Sequence, residues 1–244
     1  MHELTTKTIR DIALAAPLTT RVFESYKIDF CCGGRVPFAE ACLNAGVDPS
    51  EVLAKLETIV NKPENLTGDH IERKKPSDLV EYIVDQHHKF TRDEIARLRP
   101  LAEKVANRHG ENHAELAEIR DIFAELADEL LVHMKKEENI LFPYITQLER
   151  AEEGNGPVPL PHFGTVQNPI RMMFFEHDKA GDLLRGLRRL SDDYTAPEDA
   201  CPSFKGLFAG LEDFERDLHR HIHLENNVLF PQAIEMEKRV TTVL

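Results

Sequence analysis

The sequence predicts an all-α fold: a four-helix bundle preceded by a small helical unit. Three observations predict it. Four long segments carry apolar residues at helical spacing, and no stretch alternates apolar and polar residues as a series of strands would. An eleven-residue phrase also occurs twice, as HMKKEENILFP from His133 and HIHLENNVLFP from His221. A chain of 244 residues is long enough to bury a substantial core, as one large domain or as an ordinary domain with a smaller companion. Its formal charge of -13 repels phosphate backbones and anionic lipid surfaces, so neither nucleic acid nor membrane is an expected partner. No apolar run approaches a membrane span, and the start, MHELTTKTIRD, lacks the basic head and apolar stretch of a secretion signal; the expected location is cytoplasmic.

The elements follow in order. KTIRDIALA stops before Pro17, TTRVFESY runs into DFCCGG, and PFAEACLNAG stops at a glycine, giving helices of two or three turns. DPSEVLAKLETIV is amphipathic, with Asp48 as cap, Pro49 in the first turn, and Val52, Leu53, Leu56 and Ile59 on one face. These segments make a unit over residues 1–60. The polar, proline-bracketed stretch 61–76 reads as a linker to a second domain over 77–244. There, helix one starts at a Ser77 cap and carries Leu79, Ile83, His87 and Phe90 along a stripe. Helix two carries Leu126, Leu130, His133, Glu137 and Leu141. After the break EEGNGPVPLPHFG, helix three shows Ile170, Met173, His177, Gly181 and Leu184. Helix four shows Leu211, Phe214, Leu218, His221, Glu225 and Leu229.

The two phrases share His, Glu, Asn, Leu, Phe and Pro in register. The match extends upstream, because His87 precedes His133 by 46 residues and His177 precedes His221 by 44, so the repeating unit is a helical hairpin. Residues four apart on a helix differ by about 40° in direction, so His133 and Glu137 share a face, as do His221 and Glu225. All four align with leucines that should face the core, where an ionised carboxylate is costly unless coordinated or neutralised. Two bridging glutamates and one histidine from each helix supply six ligands to two divalent or trivalent ions. Imidazole and carboxylate without thiolate suit iron, manganese or zinc, and such bundles commonly hold paired iron. One His-x3-Glu alone is an ordinary surface ion pair; two in a repeat, each preceded by a histidine on an apolar stripe, favour metal. His87 is chosen over its neighbour His88, which remains the alternative, because it falls four residues after Ile83 and because QHHK then aligns with EHDK around His177.

Pro143 and Pro231 close the two phrases and either kink or end their helices. Glu129 and Asp217, four residues before His133 and His221, and Glu176 beside His177, are candidates to orient histidines or are surface charges. The remaining histidines, His219 and His223 among them, read as exposed or capping residues. Of the four cysteines, Cys31 and Cys32 lie against two glycines in KIDFCCGGR. There the backbone can turn sharply, and Lys27 and Arg35 can favour thiolate; the competing reading is buried packing. Cys42 reads as packed in a helix and Cys201 as incidental.

IDFCCGG at 28–34, EHDKAG at 176–181 and the paired His-x3-Glu phrases ending in LFP resemble the RIC proteins, for repair of iron centres, over almost the whole chain. The resemblance implies a hemerythrin-like up-down four-helix bundle behind an N-terminal domain. It also implies two non-haem irons per chain with an oxo or hydroxo bridge, and a homodimer. The implied ligands are His87, His133, Glu137, His177, His221 and Glu225; Cys31 and Cys32 stand as candidate reactive thiols on their own sequence context. The implied activity restores iron-sulfur clusters damaged by nitric oxide or oxidants, by donating iron, with damaged iron-sulfur proteins as partners and nitric oxide or oxygen as small ligands. Two alternatives use the same centre: a nitric oxide or peroxide reductase, and an oxygen carrier or iron sensor of hemerythrin type.

Overall fold

A computed structural model of the chain describes residues 2–60, 71–158 and 160–242, and among these every regular element is helical. The N-terminal part contains α1 (His2–Thr5), α2 (Ile9–Ala15), α3 (Thr20–Ser25), α4 (Phe38–Asn44) and α5 (Pro49–Val60). Thr8 and Asp11 close a reciprocal capping box on α2, and Asp48 accepts from the Ser50 amide at the start of α5. Short helices cannot persist on propensity alone; here Ile9, Ile12, Phe23, Phe38, Cys42, Val52 and Leu56 pack into a core of their own. Of the expected linker, residues 61–70 lie outside the described residues. Ile71–Arg73 form one 3-10 turn that leads into the bundle.

Three of the four bundle helices are interrupted by one wide π-helical turn. In α6 the stretches are Pro76–Tyr82, the turn Ile83–His88, and Lys89–His109. In α7 they are Glu115–Lys136, the turn Glu137–Leu141, and Phe142–Glu152. Helix α8, Gln167–Leu190, is uninterrupted, and α9 runs through Pro202–Leu224, the turn Glu225–Leu229, and Phe230–Thr242. Pro143 and Pro231 therefore do not end their helices. Each sits in the first α-turn after a π turn, where a missing N–H disrupts least. Helix α6 begins at Pro76 rather than at a Ser77 cap, since the Ser77 amide and hydroxyl both donate to Glu149 of α7.

The bundle core falls into two halves. One joins the start of α6 (Leu79, Ile83) and the end of α7 (Ile145, Leu148) to the start of α8 (Ile170, Met173) and the end of α9 (Ala233, Met236). The other joins the opposite ends, through Leu98, Val105, Ile119, Phe123, Leu184, Leu187, Leu207 and Phe214. This alternation is that of an up-down-up-down bundle. A polar layer separates the halves.

Close approaches of the backbone make two glycines informative. A Cβ on Gly34 would lie 2.7 Å from the Phe30 carbonyl oxygen within the DFCCGG loop, whereas one on Gly206 in α9 would meet nothing within 4 Å. Denaturant unfolding should therefore show Gly34→Ala destabilised by about 1–3 kcal/mol through overpacking, and Gly206→Ala stabilised by about 0.5–1 kcal/mol through helix propensity.

Candidate metal centre

The polar layer holds His88 from α6, His133 and Glu137 from α7, His177 from α8, and His221 and Glu225 from α9, all buried. They form two overlapping groups, one of His88, Glu137, His221 and Glu225, the other of His133, Glu137, His177 and Glu225. Both glutamates belong to both groups, the position of bridging ligands. His88 Nε2 lies 3.1 Å from His221 Nε2, and His133 Nε2 lies 3.0 Å from His177 Nε2. Around them, Nε2 of His221, His177, His133 and His88 stand 2.9, 3.2, 3.3 and 3.4 Å from the nearest glutamate oxygens.

Lone pairs cannot be packed this way without a positive species between them. His88 Nδ1 is 2.6 Å from a Glu138 oxygen and His133 Nδ1 is 2.8 Å from a Glu176 oxygen. His177 Nδ1 is 2.8 Å from the Asn226 amide oxygen. These partners accept, so each Nδ1 carries a hydrogen and each Nε2 is free to present its lone pair to the centre. Both oxygens of Glu137 and one of Glu225 are buried without a hydrogen-bond donor. Four converging nitrogens and two fully buried carboxylates fit a pair of cations, and the absence of thiolate among them fits iron, manganese or zinc.

In the metal-free chain, protons do the cations' work. Burial alone would lower the pKa of His88 and His133, but Glu137 and Glu225, joined at His133 by Glu176, raise both to about 10. Burial would raise the carboxyl pKa values; the surrounding imidazoles outweigh it and hold Glu137 low and Glu225 well below the usual carboxylate range. Glu176 is likewise resisted by burial yet brought to about 2 by His133 and Lys136.

The structure differs from the expectation at the first histidine. His87 does not join either group: its Nδ1 stands 3.0 Å from Asp217, its Nε2 is buried without a partner, and its ring stacks on His221. His88 takes the place expected of it. The reason is the π turn Ile83–His88, which adds one residue to the turn, so that the core-facing side chain after Ile83 comes five residues on rather than four. The lower half of α6 carried the signal, since stepping back from the buried Val105, Ala102, Leu98, Ile95 and Thr91 at helical spacing reaches His88. The other five expected ligands converge.

The supporting residues also differ from expectation. Asp217 pairs with His87 rather than His221, Glu129 pairs with Lys179, and Glu176 holds His133 rather than its neighbour His177. Glu138 and Asn226 were missed, although each directly follows a ligand glutamate in the repeated phrase. His223 is fully buried and His219 half-buried, neither of them a free surface residue.

Those two histidines contact the DFCCGG loop. Phe30 packs edge-on against both, His219 stands 3.1 Å from Glu24, and His223 Nδ1 stands 3.2 Å from the Phe30 carbonyl. Asn227 Nδ2 donates to the Cys31 carbonyl at 3.1 Å, and Arg10 donates to the Asn227 carbonyl, which Pro231 leaves without its helical partner. Cys31 is buried and Cys32 half-buried, with their sulfurs 3.8 Å apart and Cys32 Sγ 3.8 Å from the backbone carbonyl of His177. The expected thiolate is not found at Cys31: its contact with Cys32, then burial, then Asp29 raise its pKa. Lys27 instead pairs with Asp193. A cavity of about 240 Å³ reaches both sulfurs from the seam between the two parts.

Comparison with known proteins agrees with this architecture. The hemerythrin HHE cation binding domain matches residues 79–233, and a domain of unknown function, DUF542, matches residues 5–60. The chain belongs to the hemerythrin HHE family. Within that family it resembles the RIC group closely. It is 34% identical to a probable iron-sulfur cluster repair protein of Haemophilus influenzae over 93% of this chain and 96% of that one. It is 32% identical to the iron-sulfur cluster repair protein ScdA of Staphylococcus haemolyticus, over 91% and 95% of the respective chains. It is also 32% identical to the iron-sulfur cluster repair protein YtfE of Yersinia pseudotuberculosis, over 93% and 96%. Among the described residues no helix is long and apolar enough to cross a membrane.

The raised histidines give the centre a pH signature. A histidine whose folded pKa exceeds its unfolded value of about 6.5 contributes stability that is complete below that value and lost as pH rises through the folded pKa. Metal-free protein should therefore lose thermal stability from pH about 7 to about 10, while metal-loaded protein, in which no such protons are held, should stay level across that window.

Proposed function

We propose that this protein repairs iron-sulfur clusters damaged by nitrosative or oxidative stress, and that it does so by supplying iron from a two-iron centre. His88, His133, Glu137, His177, His221 and Glu225 hold the irons. The observation that carries the reading is the buried pair Glu137 and Glu225, with no donor on three of their oxygens and four imidazoles turned toward them. The repair role is supported by the names of the relatives, which are iron-sulfur cluster repair proteins.

Donor chemistry favours delivery over permanent storage. Nitrogen and oxygen ligands are harder than the thiolates that hold iron-sulfur clusters, so iron passing to a vacated cysteine site moves toward softer ligands. Cys31 and Cys32 line the cavity at the seam, and Cys32 lies against the backbone of His177; in this reading they serve as the thiols that receive the iron in transit. The protein acts in the cytoplasm as a homodimer on damaged iron-sulfur proteins, a reading supported by the family resemblance.

Iron-loaded protein should reactivate a purified iron-sulfur dehydratase whose cluster has been damaged by nitric oxide, in an assay without other iron. Glu137→Ala with Glu225→Ala should bind less than one iron per chain and lose this activity; full reactivation by that variant would overturn the proposal. Cys31→Ser with Cys32→Ser should keep its iron, measured by metal analysis, and reactivate several-fold more slowly.

A further inference from the structure

The two metal positions are built from corresponding parts, with one break in the correspondence. Under the approximate two-fold relation between hairpins, His88 matches His177 and His133 matches His221. Glu138 behind His88 then matches Asn226 behind His177. Glu176, which accepts from His133 Nδ1, matches residue 87 by position, one before the α6 or α8 ligand. There the chain carries a histidine, and His221 Nδ1 is buried without a hydrogen-bond partner.

His87 cannot take over the task of Glu176. Its ring lies parallel to that of His221, at 8° and 5.7 Å between centroids, and stacked rings do not offer a lone pair in each other's plane. Its own Nδ1 is committed to Asp217. One position therefore has both imidazoles oriented by acceptors, one of them an ionised carboxylate; the other has His88 oriented by Glu138 and His221 oriented by nothing. A partner behind a ligating imidazole fixes its tautomer and raises its basicity, and losing one such partner lowers metal affinity about 10–100-fold.

We infer that the two positions are unequal: the ion between His133 and His177 is held more tightly, and the ion between His88 and His221 is the one given up first. The inference rests on the two-cation reading of the centre and not on the repair activity.

The test is an anaerobic equilibrium titration of metal-free protein with ferrous iron against a coloured chelator of known affinity. Wild-type protein should bind in two steps separated by about 10–100-fold. Glu138→Gln should weaken the second step and leave the first, while Glu176→Gln and Asn226→Ala should weaken the first. His87→Glu with Asp217→Asn, which supplies the missing acceptor without a second buried carboxylate beside it, should strengthen the second step about tenfold or more and draw the two together. Equal affinities in the wild type would overturn the inference, as would a loss of the tighter step in Glu138→Gln. Binding of one ion or none in the wild type would instead defeat the two-cation reading itself.

Discussion

Glu137 and Glu225 face each other in the middle of a helical bundle, where two uncompensated carboxylates would repel and could not be solvated. The surrounding structure can be read as a set of responses to that constraint. Four imidazoles, in two pairs whose Nε2 atoms are 3.0 and 3.1 Å apart, stand 2.9 to 3.4 Å from the carboxylates. Glu138, Glu176 and Asn226 accept the outer hydrogens of three of them and so turn the inner nitrogens toward the centre. The result is a site whose only comfortable state contains positive charge, supplied by metal or, failing that, by protons.

The long periodic elements were legible in the sequence because period alone fixes which face of a straight helix is buried. Leu126, Leu130, His133 and Glu137 lie on one line, as do Leu218, His221 and Glu225, and the structure keeps them there. Sequence reasoning failed where the helix is not straight. A π turn has no compositional mark that distinguishes it from an α turn, so a stripe extended from Leu79 and Ile83 arrived at His87, one residue short. The supporting shell was hidden for a different reason. Glu176 serves a histidine on the neighbouring helix and Asp217 serves one on α6, and such cross-helix pairings depend on the relative rotation of packed helices, which no single segment records.

The same short stretch of α9 joins the two parts of the molecule. From His219 to Asn227, alternate faces are assigned to different work: His221 and Glu225 point into the polar layer, while His219, His223 and Asn227 grip Phe30 and the Cys31 carbonyl. Asn226 touches both, accepting from His177 and lying within 3.5 Å of the Cys31 carbonyl. A π turn at this place opens the backbone, and Arg10 of α2 occupies the carbonyl left free by Pro231. The irregularity that aims the ligands thus also provides the attachment point for the cysteine loop.

A polar layer through the waist of a bundle divides its apolar core, and each half must be large enough to hold its helix ends together. Phe123, Phe204 and Phe214 fill one half, and Phe142 and Phe230 the other, all fully buried. Neither half includes any of the layer's six side chains, so the apolar packing that holds the helix ends together is separate from the layer. A centre whose ions were required for folding could not release them without unfolding. With the helix ends packed separately from the layer, the iron release proposed above would leave both cores in place.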